Sequence, residues 1–95
     1  MIEPGLLAEN LNSVFSLQLH SDVDCELELV EAIVSPHKNN SGSREPISLI
    51  FRYTLDQQLH QGTYNLKHEK LGTFDIFLVP QLPDQKFNYM EAVFN

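Results

Sequence analysis

The sequence is poor in cysteine, in cations and in long apolar runs, and each scarcity removes a class of function. Cys25 is the single cysteine. One thiol forms no internal disulfide, and a small secreted domain ordinarily carries several cysteines, so a reducing cytoplasmic compartment is expected. Lysine and arginine total 6 against 13 aspartates and glutamates, a formal net charge of -7. Phosphates and anionic headgroups both call for a basic surface, so neither nucleic acid nor a membrane is an expected partner. Met1-Ile2-Glu3-Pro4-Gly5 has no basic start and no apolar run behind it, so no signal peptide is expected. The longest apolar stretches are a few residues, far short of the roughly 20 that span a bilayer.

The usual catalytic signatures are also missing. There is no Walker loop, no Rossmann glycine set, no zinc-protease helix motif and no glycine-serine-glycine elbow. Cys25 sits at an apolar strand position between Asp24 and Glu26. Burial and negative neighbours both raise a thiol pKa, the wrong direction for a nucleophile. His20, His37, His60 and His68 form no pair at zinc-ligand spacing. Asp22, Asp24, Glu26 and Glu28 share one strand parity and make an acidic stripe. A strand splays such carboxylates instead of converging them on one ion, so the stripe reads as a solvated face that meets a basic partner or guards against edge-to-edge pairing. No catalytic residue, no metal ligand and no cofactor is expected. His68 shares parity with Tyr64 and Leu66 and is expected to point inward as a hydrogen-bonded structural histidine. His37 and His60 fall in loops and are expected to be solvated.

What the sequence does contain is alternation. At 95 residues and 42% hydrophobic composition, one globular domain spanning residues 1–95 is expected. Residues 4–11 suit a short helix, with Pro4 at a first helical position and Leu7 and Leu11 one turn apart. Residues 14–19 alternate Phe15, Leu17 and Leu19. Residues 23–34 form the longest strand candidate, with Cys25, Leu27 and Leu29 on one parity and Val30, Ala32 and Val34 on the other. That switch predicts a bulge or sharp bend. Residues 35–46 are polar, rich in Asn, Ser, Gly and Pro, and read as a dispensable loop. Residues 47–54 place Ile47, Leu49, Phe51 and Tyr53 on one face, with Ile50 an apolar exception on the other. Residues 55–62 read as a connection with a helical turn. Residues 63–68 and 73–79 form a hairpin closed at Gly72, where a positive φ is needed. Residues 87–95 complete the set. Period-two patterning between turn signals predicts a mainly β fold, a small antiparallel barrel or sandwich of six strands with at most a short N-terminal helix.

Two segments are apolar on both parities. Ile76-Phe77-Leu78-Val79 reads as a central strand, or as one covered on its outer face by another element or chain. The last strand has Phe87, Tyr89 and Val93 on one parity and Met90, Ala92 and Phe94 on the other. A single core uses one parity, which leaves the other for a partner. Phe77, Val79, Met90 and Phe94 are the candidate interaction surface, and a protein partner or self-association is expected.

Three motifs in order carry a resemblance: Gly62-Thr63-Tyr64-x-Leu66-x-His68-x-x-Leu71-Gly72, then Phe77-Leu78-Val79-Pro80, then Glu91-Ala92-Val93-Phe94-Asn95. With Pro46-Ile47-Ser48-Leu49-Ile50-Phe51-Arg52 ahead of them, they resemble a small bacterial domain family of unknown function. That family tends to place tyrosine before the terminal glutamate, where Met90 stands, and Gly-Pro after Phe-Arg, where Tyr53-Thr54 stand. The resemblance implies association with phage-tail-like or collar-like particles and supplies no catalytic residue. The expected function is a non-catalytic structural or assembly module. The alternative is a small ligand-binding barrel with Tyr64, His68, Phe74 and Tyr89 lining a pocket, and the third is an enzyme whose site forms at an oligomer interface.

Overall fold

The computed structural model describes residues 3–20, 23–34, 46–54, 56 and 58–94, with backbone alone at 18–20 and 23. The polar loop read at 35–46 lies outside these residues except for Pro46, as do Asp22 and His37. A short helix α1 (Pro4–Ala8) precedes β1 (Val14–His20), β2 (Val23–Val34), β3 (Ile47–Thr54), β4 (Gly62–His68), β5 (Gly72–Gln81) and β6 (Phe87–Phe94). The strands close an antiparallel barrel in the order β1-β2-β3-β6-β5-β4. Of the two architectures the alternation allowed, the chain adopts the barrel. In a barrel this narrow, side chains fill the interior.

The inner layer follows one parity of each strand, and it takes in Met90, which was expected on the interaction surface. Phe15, Leu17, Cys25, Leu27, Leu29, Leu49, Phe51, Tyr53, Leu66, Ile76, Leu78, Met90 and Ala92 are buried in a single cluster. Phe15 meets Phe51 and Phe74 edge to face, with ring centroids 5.5 and 6.0 Å apart. The parity switch in β2 is a true bulge. Leu29 pairs with Phe51 and Glu31 with Ile50, so Val30 has no partner of its own in β3. Without that extra residue, Glu31 and Ile33 would turn into the core and Ala32 out of it.

Local chemistry sets the turns. Gly72 has φ 79 and closes the β4–β5 hairpin opposite His68. A left-handed residue there suits a three-residue loop, and glycine adopts it without a Cβ clash. The helix is shorter than its apolar spacing predicts: it ends at Ala8, the Asn10 N–H donates to the Leu7 carbonyl at 3.0 Å, and Asn12 then takes φ 70 and redirects the chain. Asparagine tolerates this region. The turn lets the Asn12 N–H donate to the Leu29 carbonyl at 2.6 Å and the Leu29 N–H donate to the Ser13 carbonyl at 3.1 Å.

Two plugs close the barrel ends. Leu7 and Pro4 of α1 are buried at the end where β1 begins. At the other end the β3–β4 connection is not helical in its described residues; it inserts Leu59, whose N–H donates to the Tyr53 hydroxyl at 3.2 Å. Burial raises the Tyr53 phenol above its ordinary pKa, while the Leu59 hydrogen bond acts in the opposite sense. No helix among the described residues is long and apolar enough to cross a membrane.

Pairing around the barrel is uneven. β3 and β6 stay in register from Ile47↔Phe94 to Thr54↔Phe87. β4 and β5 do so from Gly62↔Leu78 to His68↔Gly72. The seams that join these blocks are short: β1 meets β4 at Ser16↔Lys67 and Leu17↔Leu66, and β5 meets β6 from Val79↔Glu91 to Gln81↔Tyr89.

Candidate functional site

The interaction residues read from the sequence fall on opposite sides of the barrel wall. Phe77 is 51% exposed, and Val79 is half-buried on the same outer face. Met90 is 0% exposed in the core, and Phe94 packs against the core at the barrel end. Met90 and Phe94 therefore belong to the interior and not to a docking surface. The parity that β6 turns outward carries Val93, 52% exposed, with Glu91 beside it.

Register assembles these outer residues into a face. One row crosses the sheet as Glu31 on β2, Ile50 on β3, Glu91 on β6 and Val79 on β5. The row below it reads Ile33, Ser48 and Val93, with Phe77 two residues before Val79 on the same side of β5. Ile33 is 46% exposed, and Ile50 is half-buried. Five large apolar side chains from four strands thus share one outer patch, broken by two glutamates. Among the described residues no element lies over it. Large contiguous apolar patches are uncommon on monomer surfaces and mark contact sites. Ile50, the apolar exception in its strand, was the sequence signal for this patch. Ile33 and Val93 carried none until the bulge and the strand order placed them beside it.

The acidic stripe borders the same face. Asp24, Glu26 and Glu28 point outward from β2 above the bulge. The Arg52 guanidinium contacts Glu28 at 2.7 Å and lies 4.3 Å over the Phe87 ring. A partly exposed pair of this kind contributes on the order of 1 kcal/mol or less. No cluster of three or more metal-ligating side chains lies among the described residues.

His68 and Ser13 are close enough to suggest a catalytic dyad, with Nε2 2.9 Å from Oγ. The hydrogen bonds assign the opposite role. His68 Nδ1 accepts the N–H of Lys70 at 3.1 Å and of Leu71 at 3.2 Å, so the ring proton sits on Nε2. Nε2 then donates to Ser13 Oγ, and Ser13 donates to the Asn10 carbonyl at 2.5 Å. A base that already holds its proton toward the serine cannot accept another. The imidazole stacks 4.5 Å from the Phe15 ring. It is the buried structural histidine the parity predicted, and it latches the β4–β5 turn to the segment after α1.

The four residues proposed to line a ligand pocket do not converge. His68 and Phe74 pack at the α1 end around Phe15. Tyr64 donates to the His60 carbonyl at 2.5 Å beside the Leu59 plug. Tyr89 donates to Asp84 at 2.5 Å outside the barrel. That hydroxyl, with the N–H groups of Lys86 and Phe87, holds the Asp84 carboxyl below the ordinary carboxylate range. A polar depression of about 310 Å³ does open on the outer wall, lined by Ser16, Asp24, Asn65, Lys67 and Thr73. Cys25 is buried, and desolvation first, then Asp56 and Glu26, push its thiol pKa up.

The family model described as Domain of unknown function (DUF6916) matches residues 4–94, and the chain belongs to that family. No curated protein and no solved structure matches it.

Proposed function

We propose that the barrel is a non-catalytic protein-docking module that serves as a structural or assembly component. The observation that carries this reading is the outer face of β2, β3, β6 and β5, where Ile33, Ile50, Phe77, Val79 and Val93 stand without cover among the described residues. The fold does not need these side chains inside, since the opposite parity fills the core. The tautomer of His68 supports a non-catalytic reading of the one serine-histidine hydrogen bond among the described residues. The motif resemblance supports a bacterial setting in a phage-tail-like or related particle, and the single cysteine supports a reducing compartment.

The experiment is comparative capture from the source cells with the wild type and a Phe77→Ser, Val93→Ser variant, together with melting temperatures. One set of partners lost with the variant at unchanged melting temperature supports docking through this face. An identical partner profile for both proteins overturns it. Co-sedimentation of the wild type with high-mass particles tests the particle assignment separately.

The polar depression over Ser16, Asp24, Asn65, Lys67 and Thr73 favours a second reading, a small polar ligand bound on the outer wall. Saturable amide shifts at those positions on titration with cell-extract metabolite fractions would favour it over docking.

A further inference from the structure

The docking face is not neutral, and its charges select what fits it. β2, β3, β5 and β6 carry Asp24, Glu26, Glu28, Glu31, Asp75 and Glu91, and their one cation is Arg52. Arg52 is committed to Glu28 and to the Phe87 ring. Asp75 accepts from Asn65 at 3.0 Å on the β4 side. Glu31 and Glu91 remain in the middle of the apolar patch, flanking Ile50 in one row. Glu91 accepts the Gln81 amide at 3.1 Å, which leaves its charge uncompensated among the described residues.

A second copy meets this arrangement badly. Two sheets packed face to face on a two-fold axis have that axis in the plane of contact. Centred on Ile50 and running along the strand, it stacks Glu31 on Glu91 of the second copy. Running across the strand, it stacks each glutamate on its own counterpart. Either way like charges are buried opposite each other, which is how interfaces exclude wrong partners.

Resting on the docking reading, we infer that this face takes a partner protein presenting apolar side chains flanked by lysine or arginine, and is closed to a second copy of this chain. The apolar five supply the buried contact. Glu31 and Glu91 supply registry, and the Asp24–Glu26 side of β2 extends the acidic rim.

The chain itself provides the probe. A Glu31→Lys, Glu91→Lys variant presents the same apolar residues with lysines in place of the glutamates, both on the exterior, and its folding is checked by circular dichroism. Sedimentation velocity is run on the wild type, the variant and an equimolar mixture. The expected result is two monomeric proteins and a one-to-one heterodimer, on the order of tenfold or more tighter than either self-association and weakened by added salt. Amide shifts in the labelled wild type should centre on Ile33, Ile50, Phe77, Val79 and Val93, and Val93→Ser should abolish pairing. A wild type that dimerises as tightly as the mixture overturns the inference, as does a mixture that stays monomeric at millimolar concentration. The partner capture above reports on docking itself, because it changes apolar residues and leaves the glutamates in place. Partners lost in that capture, with no preference in the mixture, would keep docking and remove the basic partner.

Discussion

The two faces of the β3–β6 pair both carry large apolar side chains, in different surroundings. Inside stand Leu49, Phe51, Met90 and Ala92, each almost wholly removed from water. Outside stand Ile50 and Val93, one row apart and separated by glutamate and serine. The inner residues meet side chains from every other strand across a narrow barrel. The outer ones meet their neighbours on the sheet and then solvent. The same residue types therefore stabilise the fold on one face and stand at the surface on the other.

Mutations that separate the faces make the contrast measurable. The largest loss is expected at Phe51→Ala, about 4 kcal/mol, because a fully buried ring is replaced by a cavity in a small core. Urea denaturation reads it directly, and a loss under about 1 kcal/mol would mean that the barrel interior repacks freely. His68→Ala comes next, at about 2 kcal/mol, since it strands the N–H groups of Lys70 and Leu71 and empties the place against Phe15. Hydrogen exchange at those two amides should rise more than in β3, which a general loss of stability would not produce.

Phe94→Ala sharpens the boundary between the faces. Its ring packs on the core but is only half-buried, so about 1.5 kcal/mol is expected instead of the larger cost of a sealed phenylalanine. Val93→Ser, one residue earlier and on the other face, should change stability by about 0.5 kcal/mol or less. If thermal melts reversed the order of Phe94→Ala and Val93→Ser, the assignment of inner and outer parity in β6 would be wrong.

The smallest effect concerns charge at the start of β6. The folded carboxyl of Asp84 is held below the ordinary carboxylate range, with the Tyr89 hydroxyl as the largest cause. A depressed folded pKa contributes stability that is present above the unfolded pKa and disappears as pH falls through the folded one. Tyr89→Phe should therefore move the Asp84 titration upward, followed by carbon-detected NMR, with little change in melting temperature at neutral pH. A titration unmoved by Tyr89→Phe would show that the backbone N–H groups of Lys86 and Phe87 hold the carboxylate alone.

How much of this was legible in the sequence differs by element. The β3 bounds, the bulge after Leu29, the inward His68 and the positive φ at Gly72 all followed from local rules. Parity along a strand is covalent, and turn geometry depends on a few adjacent residues. The plugs were not legible. Leu59 sits in a polar connection, and its burial depends on the open end of a barrel that six strands form. Leu7 was visible as helical spacing and not as a lid. The candidate surface was half legible. Phe77 and Val79 were placed outside correctly by the alternation of β5, whereas Met90 and Phe94 were assigned to the surface because β6 is apolar on both parities. Period two says that the parities differ and leaves open which one faces in.

The sequence by itself determined the strands, their turns, the class of fold and the acidic, motif-poor character of the chain, because each depends on residues near one another along the backbone. The tertiary structure alone decided that β6 lies between β3 and β5, that the seams at β1–β4 and β5–β6 are short, and that Ile33, Ile50, Val93, Val79 and Phe77 form one face with Glu31 and Glu91 within it. Those outcomes depend on which strands meet after closure. Strand pairing joins residues far apart in the chain, and no local pattern carries that information.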